Sequence, residues 1–239
     1  MKFGLKGLLT IAAVASALVL SGCGEKQADT SKIKVGVMAG AEAQVAEVAA
    51  KVAKEKYGLD VELVTFTDYV TPNAALDDGS IDINAFQHKP YLDQQVTDRG
   101  YKLTIAGNTF VYPIAGYSKQ VKSVDEIQDG ARIAVPNDPT NLGRSLLLLE
   151  QQGLLKLRDG VGLLATVRDI AENPKNITIV ELDAAQLPRS LDDVALSIIN
   201  TTYASSIDLT PQKDGVFVED KESPYVNLIV AREDNVKAE

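Results

Sequence analysis

The chain has 239 residues, 45 % hydrophobic and 24 % charged, with one cysteine and one histidine. Its formal net charge of −9 argues against nucleic acid as a partner and against adhesion to anionic lipid by charge. One thiol permits no internal disulfide, and a single histidine leaves no paired histidines for a metal, so stability must come from packing and no metal or other cofactor is expected.

Lys2 and Lys6 form a basic start, and Leu8 to Leu20 is an apolar run suited to a signal segment but short for a membrane span. Leu20-Ser21-Gly22-Cys23 resembles a bacterial lipobox, which predicts a signal peptide over residues 1–22 and a lipidated Cys23. The ordinary alternative is a secretory signal beside an incidental thiol. Removing that segment leaves 217 residues with 22 basic and 33 acidic side chains, a net −11. That length suits one large domain or two lobes with proper cores. Residues 23–32 are polar and aperiodic, and predict a flexible tether.

Beyond the tether, strand and helix patterns alternate. Ile33 to Val37 alternates as a strand, and Ala41 to Tyr57 carries Val45, Val48, Ala49 and Val52 at helical spacing before Gly58 stops it. Val61 to Phe66 predicts the next strand. Asp82 to Phe86 predicts a short one, followed by a helix that Pro90 opens. Leu103 to Phe110 is a further strand. Ser123 to Glu126 has the spacing of a capping box, Arg132 to Val135 reads as a strand, and a helix follows from about Asn141 to Gln152. Ile177 to Leu182, Val194 to Ile199 and Tyr225 to Ala231 complete the strands. This alternation predicts an α/β fold with mainly parallel sheets.

Pro113 and Gly116 interrupt the extended stretch from Gly107 to Tyr117, which predicts a passage between two lobes, with a return near Asn200. Residues 33–110 with 202–239 would then form lobe 1, and 111–201 lobe 2, with the crossings at the floor of a cleft. A single continuous sheet is the alternative.

Ligands of open α/β sheets sit beyond the carboxyl ends of strands, and the notable polar and aromatic side chains fall there. Tyr69 follows one strand, and Phe86, His88 and Tyr91 occupy a strand-to-helix junction. Asn141 and Arg144 share the first turn of a helix and one of its faces. Asn200 ends a strand, whereas Asn227 sits inside one. A guanidinium can grip a carboxylate through two hydrogen bonds, each such bond to a charged group contributing roughly 1.5–3 kcal/mol. The asparagines can donate and accept, which suits a zwitterion. Tyr69, Phe86 and Tyr91 could wall an apolar slot, where burying a methionine- or leucine-sized side chain adds about 1.5–3 kcal/mol. Each has an ordinary alternative: a solvated Arg144, a locally bonded His88, core roles for Tyr69 and Phe86, and capping by Asn141.

Ala85-Phe86-Gln87-His88-Lys89-Pro90-Tyr91-Leu92, Val135-Pro136-Asn137-Asp138-Pro139-Thr140-Asn141-Leu142-Gly143-Arg144, Ile199-Asn200-Thr201-Thr202-Tyr203-Ala204 and Ser223-Pro224-Tyr225-Val226-Asn227 resemble the NlpA/MetQ family of methionine-binding lipoproteins. The resemblance runs from about Lys32 to the end. It implies a two-lobed, type II-like periplasmic-binding-protein fold with two interlobe crossovers, closing on a free amino acid. It further implies delivery of methionine to the permease and ATPase subunits of an importer, by a monomer lipid-anchored on the periplasmic side of the cell envelope. Arg144, Asn200 and Asn227 are implied as contacts to the amino-acid head, with Asn141 beside them. Tyr69, Phe86, His88 and Tyr91 are implied as the lining around the side chain, and Glu42 is a weaker candidate for the ammonium.

Two features depart from the family pattern. Its members continue past the position of Glu239 into a further helix, which implies exposed apolar surface on lobe 1. Leu191 to Leu196 is a couple of residues shorter than the pattern, which bears on the aim of Asn200. An enzyme is not expected, because no phosphate-binding glycine loop or paired catalytic set is present. A surface or structural lipoprotein with a degenerate cleft is the alternative to a transport protein.

Overall fold

A computed structural model describes residues 32–220 and 223–236. The signal peptide, the lipidation of Cys23 and nearly all of the tether lie outside the described residues. Lys32 is already a strand residue, so the fold begins one position earlier than expected.

The described chain forms two separate five-stranded sheets and a two-stranded ribbon, so the single continuous sheet is not found. In the first sheet, strands β1 (Lys32–Met38), β2 (Asp60–Phe66) and β3 (Ile83–Asn84) run parallel. β12 (Val226–Arg232) enters antiparallel between β3 and β4 (Leu103–Val111). In the second sheet, β6 (Arg132–Pro136), β9 (Thr178–Leu182) and β10 (Leu196–Ile199) are parallel. β5 (Ala115–Tyr117) is added antiparallel beside β10, and β11 (Phe217–Val218) lies antiparallel to β5 and so runs with the parallel strands. Both sheets are therefore mixed, because β12 in the first and β5 in the second enter against the parallel run.

The ribbon pairs β7 (Lys156–Leu157) with β8 (Ile170–Glu172). The sequence gives it little period-2 signal, since its strands are only two and three residues long.

The lobe boundary differs from the sequence expectation at one end. The outward passage near Pro113 is where β4 gives way to β5, as expected. The return is later than Asn200, because β11 still pairs with β5 and holds residues 202–218 on the second sheet. The second crossover therefore lies between Val218 and Val226. Short helices α6 (Thr201–Ser205) and α7 (Pro211–Asp214) occupy the intervening stretch and hide the continuation from a periodicity reading.

Helix boundaries follow from local chemistry. α1 (Ala41–Tyr57) ends where Gly58 takes a left-handed conformation. α2 (Thr71–Asp77), not anticipated, is held at its start by Asp68, whose carboxylate accepts from the backbone N–H of Thr71 at 2.8 Å. α3 (Lys89–Arg99) starts behind an extended His88 with Pro90 in its first turn. α4 (Pro139–Gln151) begins two residues earlier than expected, capped by Asp138 rather than Asn141. Ser123 makes no capping bond: Glu126 instead accepts from the backbone N–H of Lys122 at 2.8 Å, leaving only a short turn.

The second lobe is packed densely around Ile133, Val135, Leu146, Leu149 and Leu196, all fully buried. The first lobe buries Leu76, Ile81, Leu92 and Val230 on one face. Its other face is open. Val45, Val48 and Val52, which mark α1 by their helical spacing, are exposed, Val48 by 65 %. An apolar groove runs between α1 and the sheet, lined by Ala49, Val61, Leu63, Phe110 and Ile229. Among the described residues nothing covers this stripe. α5 (Leu187–Ser190) closes the second lobe beneath β10.

Candidate functional site

All eight expected residues line one recess between the lobes. From the first lobe come Tyr69 after β2, Phe86 and His88 between β3 and α3, Tyr91 in the first turn of α3, and Asn227 on β12. From the second lobe come Asn141 and Arg144 on α4 and Asn200 after β10.

The loop carrying Phe86 and His88 is held by a buried amide cluster. Asn73 donates to Gln87 at 2.8 Å, Gln87 donates back at 2.6 Å, and Asn84 donates to Asn73 at 2.9 Å. Closing the cluster, Gln87 donates to Asn84 at 3.0 Å. Every member is satisfied inside the protein, so the cluster locks its backbone without leaving buried polar groups unpaired. Asn227 then docks on this loop, its side-chain N–H donating to the Phe86 carbonyl at 3.1 Å. His88 and Asn227 also form an antiparallel bridge.

His88 accepts from the backbone N–H of Tyr91 through Nδ1 at 3.2 Å. Its Nε2 therefore carries the proton and donates to Asn141 Oδ1 at 3.3 Å. Burial, helped by the Arg144 charge, pushes its pKa down to about 3, so the ring is neutral near pH 7. Asn141 is fastened by Asp138, which accepts from its side-chain N–H at 2.9 Å, and its Oδ1 also accepts from Asn200 at 3.0 Å. Both polar ends of Asn141 are used within the protein. It joins the lobes and aims Asn200 and His88. Asn200 keeps its own Oδ1 buried without a protein partner.

Arg144 is only 3 % exposed. Its Nε donates to Glu219 at 2.8 Å, and its Nη2 donates to the second carboxylate oxygen and, at 3.1 Å, to the Tyr112 carbonyl. The guanidinium lies 4.3 Å from the centre of the Tyr225 ring, within cation–π range. Nη1 makes no hydrogen bond to the described residues. The two-bond fork expected to face a ligand carboxylate is thus spent on Glu219, and Nη1 is the one guanidinium nitrogen not so engaged. Glu219 was missed in the sequence because it lies 75 residues from Arg144, on the second crossover, with no local pattern to mark it.

Opposite the polar end stand the aromatic rings. Tyr69 lies 6.0 Å from Phe86 and 4.9 Å from Tyr203 between ring centres, and Phe86 lies 6.0 Å from Tyr91. These are edge and tilted contacts of the kind aromatic pairs prefer. Tyr91 also donates its hydroxyl to the Tyr69 carbonyl at 2.8 Å, so it supports the wall as well as forming it. The sequence reading missed Tyr203, although Asn200 marks the same turn.

Two mixed sheets, two crossovers and one recess between them define the fold of periplasmic substrate-binding proteins, and similar solved structures carry the same architecture. The chain belongs to the NlpA lipoprotein family, whose model matches residues 33–239. It is 84 % identical over 239 residues to a protein of Vibrio cholerae called "Probable D-methionine-binding lipoprotein MetQ", covering 100 % of this chain and 89 % of that one. A solved ABC-transporter periplasmic substrate-binding protein from Coxiella burnetii is 51 % identical, with a TM-score of 0.84 and coverage of 86 % and 87 % of the two chains. A nutrient-binding protein from Burkholderia cenocepacia, solved bound to methionine, is 54 % identical with a TM-score of 0.84 over 86 % and 87 %.

Proposed function

We propose that this protein captures methionine in the interlobe recess and delivers it to the permease and ATPase of an importer. It does so as a monomer held to the periplasmic side of the envelope by a lipid on Cys23. Coupling to a permease favours the inner membrane. The observation that carries the reading is the pairing of a buried guanidinium and several amides with an aromatic wall, contributed by both lobes to one recess. In this reading Arg144 Nη1 meets the ligand carboxylate, Asn200 and Asn227 complete the head-group contacts, and Tyr69, Phe86 and Tyr91 enclose the thioether chain. Sulfur against aromatic rings adds about 0.3–1.5 kcal/mol to the hydrophobic gain. The names of the relatives support methionine as ligand and an ABC importer as destination.

Residues from both lobes reach the ligand together, so binding favours the closed arrangement over an open one. The test is thermal unfolding of the protein with and without methionine. The midpoint is expected to rise with methionine and stay put with an amino acid too large for the recess, such as tryptophan. An unmoved midpoint with methionine, confirmed by calorimetry, overturns the reading and favours a lipoprotein whose cleft has lost its ligand.

A further inference from the structure

Glu219 stands on the second crossover, one residue past β11, and is not among the residues that line the recess. Its carboxylate is nonetheless almost wholly buried, 10 % exposed, and both of its oxygens are taken up by one side chain of the site. Oε1 accepts from Arg144 Nε at 2.8 Å, and Oε2 accepts from Arg144 Nη2. The residue is held to the first crossover as well. Its backbone N–H donates to the Ile114 carbonyl at 2.9 Å, and Oε2 accepts a longer bond from the Ile114 N–H at 3.4 Å. Main-chain pairing of the two crossovers therefore sets where this carboxylate stands.

Three contacts then fix the guanidinium. Glu219 holds its Nε–Nη2 edge, the Tyr112 carbonyl takes the second hydrogen of Nη2 at 3.1 Å, and the Tyr225 ring lies over its plane at 4.3 Å. Tyr225 is itself buried and sits edge-on to His88 at 5.0 Å, so packing fixes the ring in turn. A planar group held along one edge and on one face has little torsional freedom left, and Nη1 lies where the other two nitrogens put it.

We infer that Glu219 is the positioning residue of this site: it aims Arg144 and so sets, from outside the recess, the preference for a ligand that carries a carboxylate. This rests on the methionine reading and deepens it, because that reading gives the ligand carboxylate to Arg144 Nη1. An unconstrained arginine would give up rotamer freedom when the ligand arrives, whereas this one has already done so on folding. A lone buried guanidinium would also be costly in the empty recess, and Glu219 compensates it there. Glu219 does not touch the ligand in this arrangement. Its effect passes through Arg144 and is felt by the carboxylate alone. Removing its negative charge would by itself favour an incoming anion, so a loss of methionine affinity in a neutral variant has the sign of lost aim.

The experiment is calorimetry on the full-length protein with methionine and with methioninamide, which keeps the ammonium and the thioether chain but replaces the carboxylate by a neutral amide. The unaltered protein is expected to prefer methionine at least tenfold. Glu219→Gln has nearly the same shape, but its amide nitrogen meets a guanidinium N–H donor to donor, so the fork opens. It is expected to lose at least tenfold in methionine affinity and less than threefold in methioninamide affinity, which collapses the preference. Equal losses for the two ligands would mean a general structural role and overturn the proposal, as would unchanged or increased methionine affinity. If Glu219→Gln does not fold, Glu219→Asp carries the test, since it keeps the charge but draws it back by one methylene. Its preference for methionine is expected to fall at least threefold, and an unaltered preference overturns the proposal. Equal binding of the two ligands by the unaltered protein removes the positioning role while leaving methionine capture in place. Failure of the unaltered protein to bind methionine at all overturns the underlying reading.

Discussion

Arg144 is tied to the two crossovers as firmly as to any ligand. Its guanidinium bonds to Tyr112 on the first passage and to Glu219 on the second, which leaves Nη1 without a hydrogen bond among the described residues. In the proposed function, removing Arg144 deletes the ligand-carboxylate contact, and it leaves the nearly buried Glu219 uncompensated. Arg144→Ala is expected to weaken methionine binding at least tenfold, and unchanged affinity by calorimetry would contradict the carboxylate assignment. His88 makes a separate prediction for stability. Its pKa is about 3 when folded, below the ordinary value near 6.5, so the folded state binds fewer protons between those limits. The stability it supports is present above pH 6.5 and is lost as the pH falls toward 3. His88→Asn keeps a residue type that caps helices but removes the titration. Its stability in urea is expected to drop by roughly 2–3 kcal/mol less than that of the unaltered protein between pH 7 and pH 4.5. Glu42 acts in the opposite sense, since its raised pKa gives stability that is lost as the pH rises through about 7. It is present in both proteins and cancels from the comparison.

At the scale of elements, α4 shows why sequence and structure agree where they do. Pro139 in its first turn and the extended Asp138 before it set the helix start, and the turn must then present Asn141 and Arg144 on one face. Gly143 between them was not singled out in the sequence. A Cβ at that position would press on the backbone carbonyl of Leu163, so the helix lies against the 162–164 turn as closely as two backbones allow. Gly143→Ala is expected to cost about 1–3 kcal/mol by forcing that turn away, measured as a lower urea midpoint with an unchanged slope. A shift below 0.5 kcal/mol would show that the turn yields freely. α1 shows the opposite lesson. Its periodicity predicted the helix to the residue, but periodicity does not say what an apolar face meets, and here Val45 and Ala49 meet an open groove while Val48 is exposed.

For the molecule as a whole, the recess is where distant stretches of chain converge: the start of α1, the loop before α3, the first turn of α4, the end of β10 and β12. Contacts such as His88 to Asn141 across the lobes give a ligand something to stabilise beyond either lobe alone. A ligand held only by the folded, closed protein adds about 2.7 kcal/mol to stability at a hundredfold excess over its dissociation constant. The methionine-induced rise in the unfolding midpoint should therefore grow with the logarithm of methionine concentration. A rise that levels off early would mean that the unfolded chain binds it too.

The sequence by itself determined the α/β class, the places where strands end in polar and aromatic residues, and the family, because these are written in local periodicity and short contiguous motifs. Even Asn200, whose aim the short 191–196 stretch left open, sits on the recess, directly after β10. Only the tertiary structure decided the rest. It kept residues 202–218 on the second sheet, turned the Arg144 fork toward Glu219, made Asn141 a joint between lobes, and left one oxygen of Glu42 unmatched. Each of those outcomes depends on which side chains from remote segments meet in low dielectric. There the partner a charged group finds, and not its position along the chain, fixes what it can do.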